Sequence, residues 1–175
     1  MKQYPLPKKY LMEKNQKIGT FLENRGDRFH CGVDLYAPKN TPVFAVEDGI
    51  IYLTREFTNP NIISYWNTTY EIILQSNSTY CFRYAELHCV FVKKNDVVSA
   101  GDVIGLVGQV LNPEKIHQDH PAYIQLLAKE KKLSMLHFEM YQNIPEPSDK
   151  YLGGNWFDTQ PPKGLCDPTL FVCKD

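Results

Sequence analysis

The chain contains two histidines and one aspartate whose types and spacing could hold a metal ion. His30 and Asp34 are four positions apart, and His137 lies far along the chain. Two histidine nitrogens and one carboxylate oxygen, with a fourth position left for water, are the donors that a catalytic zinc site needs. These three residues are therefore candidate ligands of a zinc ion.

The spacing of His30 and Asp34 constrains the backbone between them. In a fully extended strand they would lie about 13 Å apart, too far to share an ion whose bonds are each about 2 Å. The chain must therefore bend, and Gly32 between them permits the bend.

The segment around His137 has the period of a β-strand. One face is apolar and predicts the core side: Leu136, Phe138 and Met140. The opposite face carries His137 with Met135, Glu139 and Tyr141. His137 is thus available as a ligand, although taken alone it is more typical of a hydrogen-bonded surface histidine.

The elements that must position these residues are mainly short strands broken by glycines. The predicted strands are 41–46 and 50–53, which form a hairpin with Gly49 at positive φ, then 70–75 paired with 79–87, and finally 97–98, 103–108 and 135–141. A short helix is predicted within 121–133, with Pro121 in its first turn. The fold class is therefore mostly β, an antiparallel domain with one inserted helix.

Composition excludes several classes of function. The 175 residues include 19 Lys and Arg against 20 Asp and Glu, without a basic cluster, so nucleic-acid binding is disfavoured. No apolar run approaches the roughly 18 to 20 residues of a membrane span, and the start lacks the apolar stretch of a signal peptide. The five cysteines contain no C-x-x-C pair, and pairing of Cys166 with Cys173 stays open.

The order of motifs resembles the lysostaphin-type (LytM-like, duplicated hybrid motif) zinc peptidases, which cut peptide cross-bridges in bacterial cell walls. The resemblance covers residues 30–139. Its motifs are HCGVDL at 30–35, AP at 37–38, TPV at 41–43, DG at 48–49, YAEL at 84–87, VV at 97–98, GDVIG at 101–105 and LHFE at 136–139. It implies a β-sheet with an open groove, similar to a barrel-sandwich hybrid, and zinc bound by His30, Asp34 and His137.

Two departures from the family pattern affect catalysis. The family carries His-x-His before Phe-Glu, and here Met135 replaces the first of these two histidines. The family also carries a Tyr-x-His-Leu motif, and here Glu86 replaces its histidine. A thioether cannot transfer a proton, so Met135 can only form an apolar wall. The carboxylate of Glu86 could act as general base toward a zinc-bound water.

Three other histidines could replace the missing ones. His88 lies two positions after Glu86, about 7 Å further on the same face of a regular strand, and could flank the groove. His117 and His120 lie in an insert at 109–134 that could fold over the groove. For each, a solvated surface histidine is the competing interpretation.

Two charged residues could support the site without binding the metal. Glu139 lies on the same face as His137 and is expected to hold that ring or the backbone rather than bind zinc. Arg25 could line the groove or be an exposed structural arginine.

The resulting division of the chain is an arm at 1–28, a zinc peptidase-like domain at 29–141 with the insert 109–134, and an irregular C-terminal wrap at 142–175. The expected location is periplasmic or secreted if an export signal preceded the given start. The oligomeric state stays open.

Two functions remain as hypotheses. The first is a domain with degenerate catalysis that keeps zinc and binds a wall peptide or a protein partner. The alternative is an active endopeptidase on peptidoglycan cross-bridges that uses Glu86 or an insert histidine as general base. A third interpretation, a lipoyl-type carrier hairpin at 97–105, lacks the lysine-bearing tip that such carriers need.

Overall fold

The computed structural model describes residues 3–13 and 16–173. Its strands are β1 Phe29–His30, β2 Val33–Tyr36, β3 Pro42–Phe44, β4 Gly49–Thr58, β5 Thr69–Ser76, β6 Cys81–Val90, β7 Val97–Val98, β8 Val103–Gln109, β9 Ser134–Tyr141, β10 Tyr151–Leu152, β11 Asn155–Trp156 and β12 Leu165–Cys166. Its α-helices are α1 Ala122–Lys129 and α2 Thr169–Val172, with 3-10 turns at Lys8–Tyr10 and Pro113–Lys115. The prediction of a mostly β fold is confirmed.

Strand β9 pairs with four other strands of the main antiparallel sheet, β2, β6, β8 and β12. The sheet has nine strands, with the path β12-β9-β8-β6-β5-β4-β7, and β2 and β3 join it by pairing with β9 and β8. Strands β2 and β6 both pair with β9, so that Asp34 and Ala85 lie opposite His137. This register brings three distant parts of the chain to one position on the sheet.

The two faces of β9 are both covered. Leu136, Phe138 and Met140 belong to the main hydrophobic core, which confirms the predicted core face. Met135 instead belongs to a second apolar cluster with side chains of α1, including Ile124 and Leu127. The inserted helix is thus anchored by its own small core.

The predicted hairpin at 41–53 is wrong, whereas the pairing of 70–75 with 79–87 is confirmed. Strand β3 pairs with β8, and β4 pairs with β5 and β7. Gly49 is absent from the glycines of positive φ. A Cβ on it would lie 2.3 Å from the carbonyl oxygen of Gln75, so the glycine serves close strand approach rather than a turn.

The inserted helix is confirmed but shorter than the interval 121–133. Helix α1 ends at Lys129, and Lys131 adopts φ 57° in the left-handed region. The amide of Lys132 donates to the carbonyl of Leu127, which closes the helix end.

The terminal segments contain more regular structure than the sequence indicated. Strands β10 and β11 form a small sheet with β1, and β12 pairs with β9. All five cysteines are free thiols, so Cys166 and Cys173 are not bridged. Positions 1–2, 14–15 and 174–175 of the predicted arm and wrap lie outside the described residues.

Among the residues described, no helix combines the length and apolar character required to cross a membrane.

Candidate metal centre

The chain bends between His30 and Asp34, as their spacing requires. Strand β1 ends at His30 and β2 begins at Val33. A Cβ on Gly32 would lie 2.4 Å from the carbonyl oxygen of Phe138, so a glycine there allows β2 to approach β9. The bend turns the side chains of His30 and Asp34 toward the same point.

The three candidate ligands converge atom to atom. His30 Nε2 lies 2.9 Å from Asp34 Oδ1 and 3.0 Å from His137 Nδ1, and His137 Nδ1 lies 2.9 Å from Asp34 Oδ1. All three residues are buried. Three donor atoms this close can all reach one ion at bond lengths of about 2 Å.

The remaining ring nitrogens decide which nitrogens can bind a metal. His30 Nδ1 lies 2.8 Å from the carbonyl oxygen of Thr20, and His137 Nε2 lies 2.7 Å from Glu139 Oε1. Because both partners accept, both of these nitrogens carry hydrogen. In the neutral rings, lone pairs therefore remain on His30 Nε2 and His137 Nδ1, which face each other and Asp34. This donor arrangement fits a divalent cation.

Without a cation, a proton takes over part of this role. Burial opposes charge on His137, but its hydrogen bonds to Asp34 and Glu139 outweigh burial and raise its pKa to about 10. Burial also opposes charge on Asp34, but the His30 charge and hydrogen bonds from both histidines hold its pKa well below the usual range. Burial lowers the pKa of His30. The metal-free site thus shares a proton among groups that a metal would bridge.

Glu139 contacts His137 directly. Its Oε1 accepts from His137 and from the hydroxyl of Tyr151 at 2.7 Å, and its Oε2 accepts from Arg83 Nη1 at 2.6 Å. Burial opposes its charge, but Arg83 and His137 hold the Glu139 pKa below its usual value. Both carboxylate oxygens are therefore occupied by neighbouring side chains.

Arg25 is a structural part of the centre rather than an exposed arginine. Its Nη2 donates to Asp34 Oδ2 at 3.0 Å and to Glu23 Oε2 at 3.1 Å, and its Nη1 donates to Asn155 Oδ1 at 3.0 Å. Because Arg25 holds one oxygen of Asp34, the other oxygen is left toward the histidines.

Glu86 lies beside the centre in an unusual conformation. It follows Ala85, which faces His137 across the sheet, and its φ of 63° lies in the left-handed region. Its side chain is buried, and its Oε2 has no hydrogen-bond partner among the described residues. Burial and the negative charge of Asp34 raise the pKa of Glu86 to about 8.

The same backbone conformation changes the expectation for His88. The register between β6 and β8 shifts between Leu87 and Cys89, so the regular alternation that predicted a common face for Glu86 and His88 does not hold. Glu86 is buried, whereas His88 is exposed.

His117 and His120 contact each other and not the candidate ligands. The amide of His117 donates to His120 Nδ1 at 2.8 Å, and the His120 ring packs edge-on against Tyr65, with centroids 4.7 Å apart. Met135, by contrast, lies two residues before His137 on β9, and its side chain is 6% exposed.

Sequence reasoning did not single out the part of the tail that packs against the centre. A Cβ on Gly154 would lie 2.5 Å from His137 Cε1, and the Gly154 carbonyl accepts from the amide of Cys31. The Phe57 ring stacks on His137 with centroids 6.2 Å apart. The Gly153-Gly154 pair was the available signal, since paired glycines are typical of close backbone approach.

Comparison with known proteins places this geometry in a family. The sequence profile of peptidase family M23 matches residues 28–149, more than half of the chain. The chain belongs to peptidase family M23. The lysostaphin-type resemblance is thereby confirmed.

Individual relatives of this M23 chain agree with that assignment. The peptidoglycan DD-endopeptidase ShyA of Vibrio cholerae is 32% identical over 119 residues, which cover 68% of this chain and 24% of ShyA. The chain thus spans about a quarter of the length of that relative.

Two solved structures share the fold. A zinc-containing peptidase from Vibrio cholerae superposes with a TM-score of 0.51 at 24% identity, covering 80% of this chain and 36% of that one. The catalytic domain of lysostaphin from Staphylococcus simulans gives a TM-score of 0.50 at 21% identity, covering 98% and 88%. The lysostaphin-type fold predicted from the sequence is confirmed.

Proposed function

We propose that this chain is a zinc-dependent endopeptidase acting on peptidoglycan cross-bridge peptides, with Glu86 as its general base. The observation that carries the proposal is the buried carboxylate of Glu86, whose Oε2 has no partner among the described residues beside a His-Asp-His cluster. An unpaired buried carboxylate is costly, and such costs concentrate at functional sites.

His30 Nε2, Asp34 Oδ1 and His137 Nδ1 would hold the zinc. When bound, zinc supplies Lewis acidity and lowers the pKa of a bound water toward neutrality. The hydrogen bonds from the two histidines to Thr20 and Glu139 keep the ligating nitrogens turned inward.

Glu86 would move the protons of the reaction. Its Oε2 accepts the proton of the attacking water and returns it to the nitrogen of the leaving amine. In the metal-free protein, burial and the charge of Asp34 raise the pKa of Glu86 to about 8, so this carboxyl can hold a proton at neutral pH. Met135 has no titratable group, so the second family histidine has no replacement at that position.

The first test compares zinc-loaded protein with its Glu86→Gln variant on purified cell wall and on synthetic cross-bridge peptides. We expect cleavage to slow about 100-fold or more in Glu86→Gln, with zinc content unchanged near one equivalent. Glu114→Gln, an exposed carboxylate in the insert, is the matched control. Equal rates for Glu86→Gln and the control would refute the role of Glu86.

A parallel measurement tests the metal. His137→Ala should lose the bound zinc, because it removes one of three ligands. Unchanged metal content in that variant would contradict the proposed ligand set.

A zinc-retaining binding module for wall peptide or a protein partner is the second candidate. The observation that favours it is the covering of the ligands: His30 and His137 are 1% exposed and Asp34 is 2% exposed, beneath Arg25 and Gly154. Binding of wall peptide without cleavage, across several cross-bridge chemistries, would support this candidate over the first. For either function we propose a location outside the cytoplasm.

A further inference from the structure

A cavity lies between the main sheet and the C-terminal segment. It has a volume of about 790 Å³. Its walls come from β4, β5 and β6 on one side and from residues 141–164 on the other. The proposed catalytic mechanism does not use it.

The cavity wall is rich in cationic side chains. These are Arg55, Arg83, Lys94 and Lys163. Among the described residues that line it, Glu146 is the single acid. Lys94 and Lys163 are exposed, and within the described residues neither forms an ion pair with a carboxylate. The Lys94 ammonium lies 5.5 Å from the centroid of the Tyr52 ring, which also lines the cavity.

The carboxylates that pair with Arg55 and Arg83 lie outside the cavity lining. Glu71 is completely buried and pairs with both Arg55 and Arg83, but it does not line the cavity. Glu139 pairs with Arg83 from the side of the metal centre. The two arginine side chains are thus held by carboxylates that do not line the cavity.

Arg83 has donors left for a ligand. Its Nε lies 2.8 Å from Glu71 Oε2 and its Nη1 lies 2.6 Å from Glu139 Oε2, whereas Nη2 donates to no described residue. The side chain is 5% exposed, and its guanidinium lies 4.4 Å from the ring centroid of Tyr151. A guanidinium held this rigidly is preorganised to bind a carboxylate.

Two side chains connect the cavity wall to the metal centre. Tyr151 lines the cavity and donates to Glu139 Oε1, and Glu139 in turn accepts from His137 Nε2. The cavity therefore lies on the side of His137 that faces away from the other two candidate ligands.

We propose that this cavity is a binding site for a carboxylate of an extended acidic peptide. The inference rests on the proposed function, because the peptide that enters would be the same wall peptide that reaches the metal. Arg83 and the two lysines bind the carboxylate, and Tyr151 separates this site from the metal centre.

The test measures peptide binding directly, by calorimetry and by tryptophan emission. Of the two tryptophans of the chain, Trp156 lines the cavity and Trp66 does not. The probe is a synthetic wall-type peptide with a free C-terminal carboxylate and one acidic side chain, added to zinc-loaded protein. Two further peptides are amidated at one or the other carboxylate. We expect one amidation to weaken binding about tenfold, which identifies the carboxylate that enters the cavity.

The matched variants are the doubles Lys94→Gln with Lys163→Gln and, as control, Lys93→Gln with Lys129→Gln. All four lysines are exposed, and both doubles remove the same charge. The first double should reduce affinity for the free peptide about tenfold and remove the difference between free and amidated peptides. The control double should change neither.

Equal affinity of all three peptides, or equal behaviour of the two doubles, would overturn the proposal. Cleavage is measured on the same samples. Carboxylate-dependent binding without cleavage would refute the peptidase function and leave the cavity site standing. Cleavage without carboxylate dependence would do the reverse.

Discussion

Strand β6 carries two buried ionisable side chains three positions apart, Arg83 and Glu86, and they are treated in opposite ways. Arg83 pairs with Glu71 and Glu139 and packs against Tyr151. Glu86 is equally buried, but its Oε2 has no partner among the described residues. The backbone differs as well, because Arg83 lies in regular register opposite Ile73, whereas Glu86 has positive φ.

The contrast distinguishes a residue that holds its neighbours in place, Arg83, from a residue that is placed to react, Glu86. A buried charge that is paired and hydrogen-bonded can hold neighbouring groups in place, as Arg83 holds Glu139 behind His137. A buried carboxylate without a partner, in a backbone conformation that costs about 1–3 kcal/mol, weakens the fold. Such a carboxylate is suited to interact with a bound cation or to transfer a proton.

The largest expected effect on the free energy of unfolding comes from replacing Arg83. Arg83→Met would leave Glu71 and Glu139 buried without this cation, so the free energy of unfolding should fall by about 3–5 kcal/mol. Urea unfolding measures the loss. Arg55→Met is the matched control, since Arg55 also pairs with Glu71 but its side chain is 50% exposed, and it should cost under about 1 kcal/mol. Equal losses would show that pairing at Arg83 is not structural.

Replacing Glu86 should raise the free energy of unfolding, whereas replacing Arg83 should lower it. The pKa of Glu86 rises from 4.5 to about 8 on folding, so ionising Glu86 destabilises the metal-free fold as pH rises through this interval. Glu86→Gln removes that cost and should stabilise the metal-free protein by about 4 kcal/mol at pH 8, but by less than about 1 kcal/mol near pH 5. Urea unfolding at both pH values measures this, with Glu114→Gln as control. A loss of stability at pH 8 would contradict the assignment of Glu86 as an unpaired carboxylate.

The smallest expected effect on the free energy of unfolding comes from replacing Tyr151. Tyr151→Phe removes the hydroxyl that donates to Glu139, so unfolding should become easier by about 1 kcal/mol. Zinc affinity should fall about tenfold, because Glu139 orients His137. Competition with a chelator measures the affinity. Tyr52→Phe, which removes the hydroxyl of a 40% exposed ring, should leave zinc affinity unchanged.

Much of the fold could be predicted because it depends on local pattern. The alternation in 135–141 defined the core face of β9, and the two runs at 70–75 and 79–87 do pair. The hairpin at 41–53 was wrong because strand partners are chosen by the whole sheet, and β3 finds its partner in β8. No local signal near Gly49 distinguishes a tight turn from close strand approach.

The candidate site divides in the same way. Residue types and spacing made His30, Asp34 and His137 candidate ligands, and the family resemblance implied that they bind one zinc ion. The structure brings these three side chains together. The fates of His88 and Arg25 could not be predicted, since one depends on a register shift in β6 and the other on contacts with Asp34 and Asn155.

The sequence by itself thus indicated the candidate donor atoms, the core face of β9 and the expectation that Met135 and Glu86 replace family histidines, because side-chain chemistry and strand periodicity are local properties. Only the tertiary structure decided that Glu86 Oε2 is buried with no hydrogen-bond partner among the described residues, while Arg83 forms ion pairs with Glu71 and Glu139. Burial and pairing depend on residues far apart in the chain, and the partners of Arg83 come from β5 and β9.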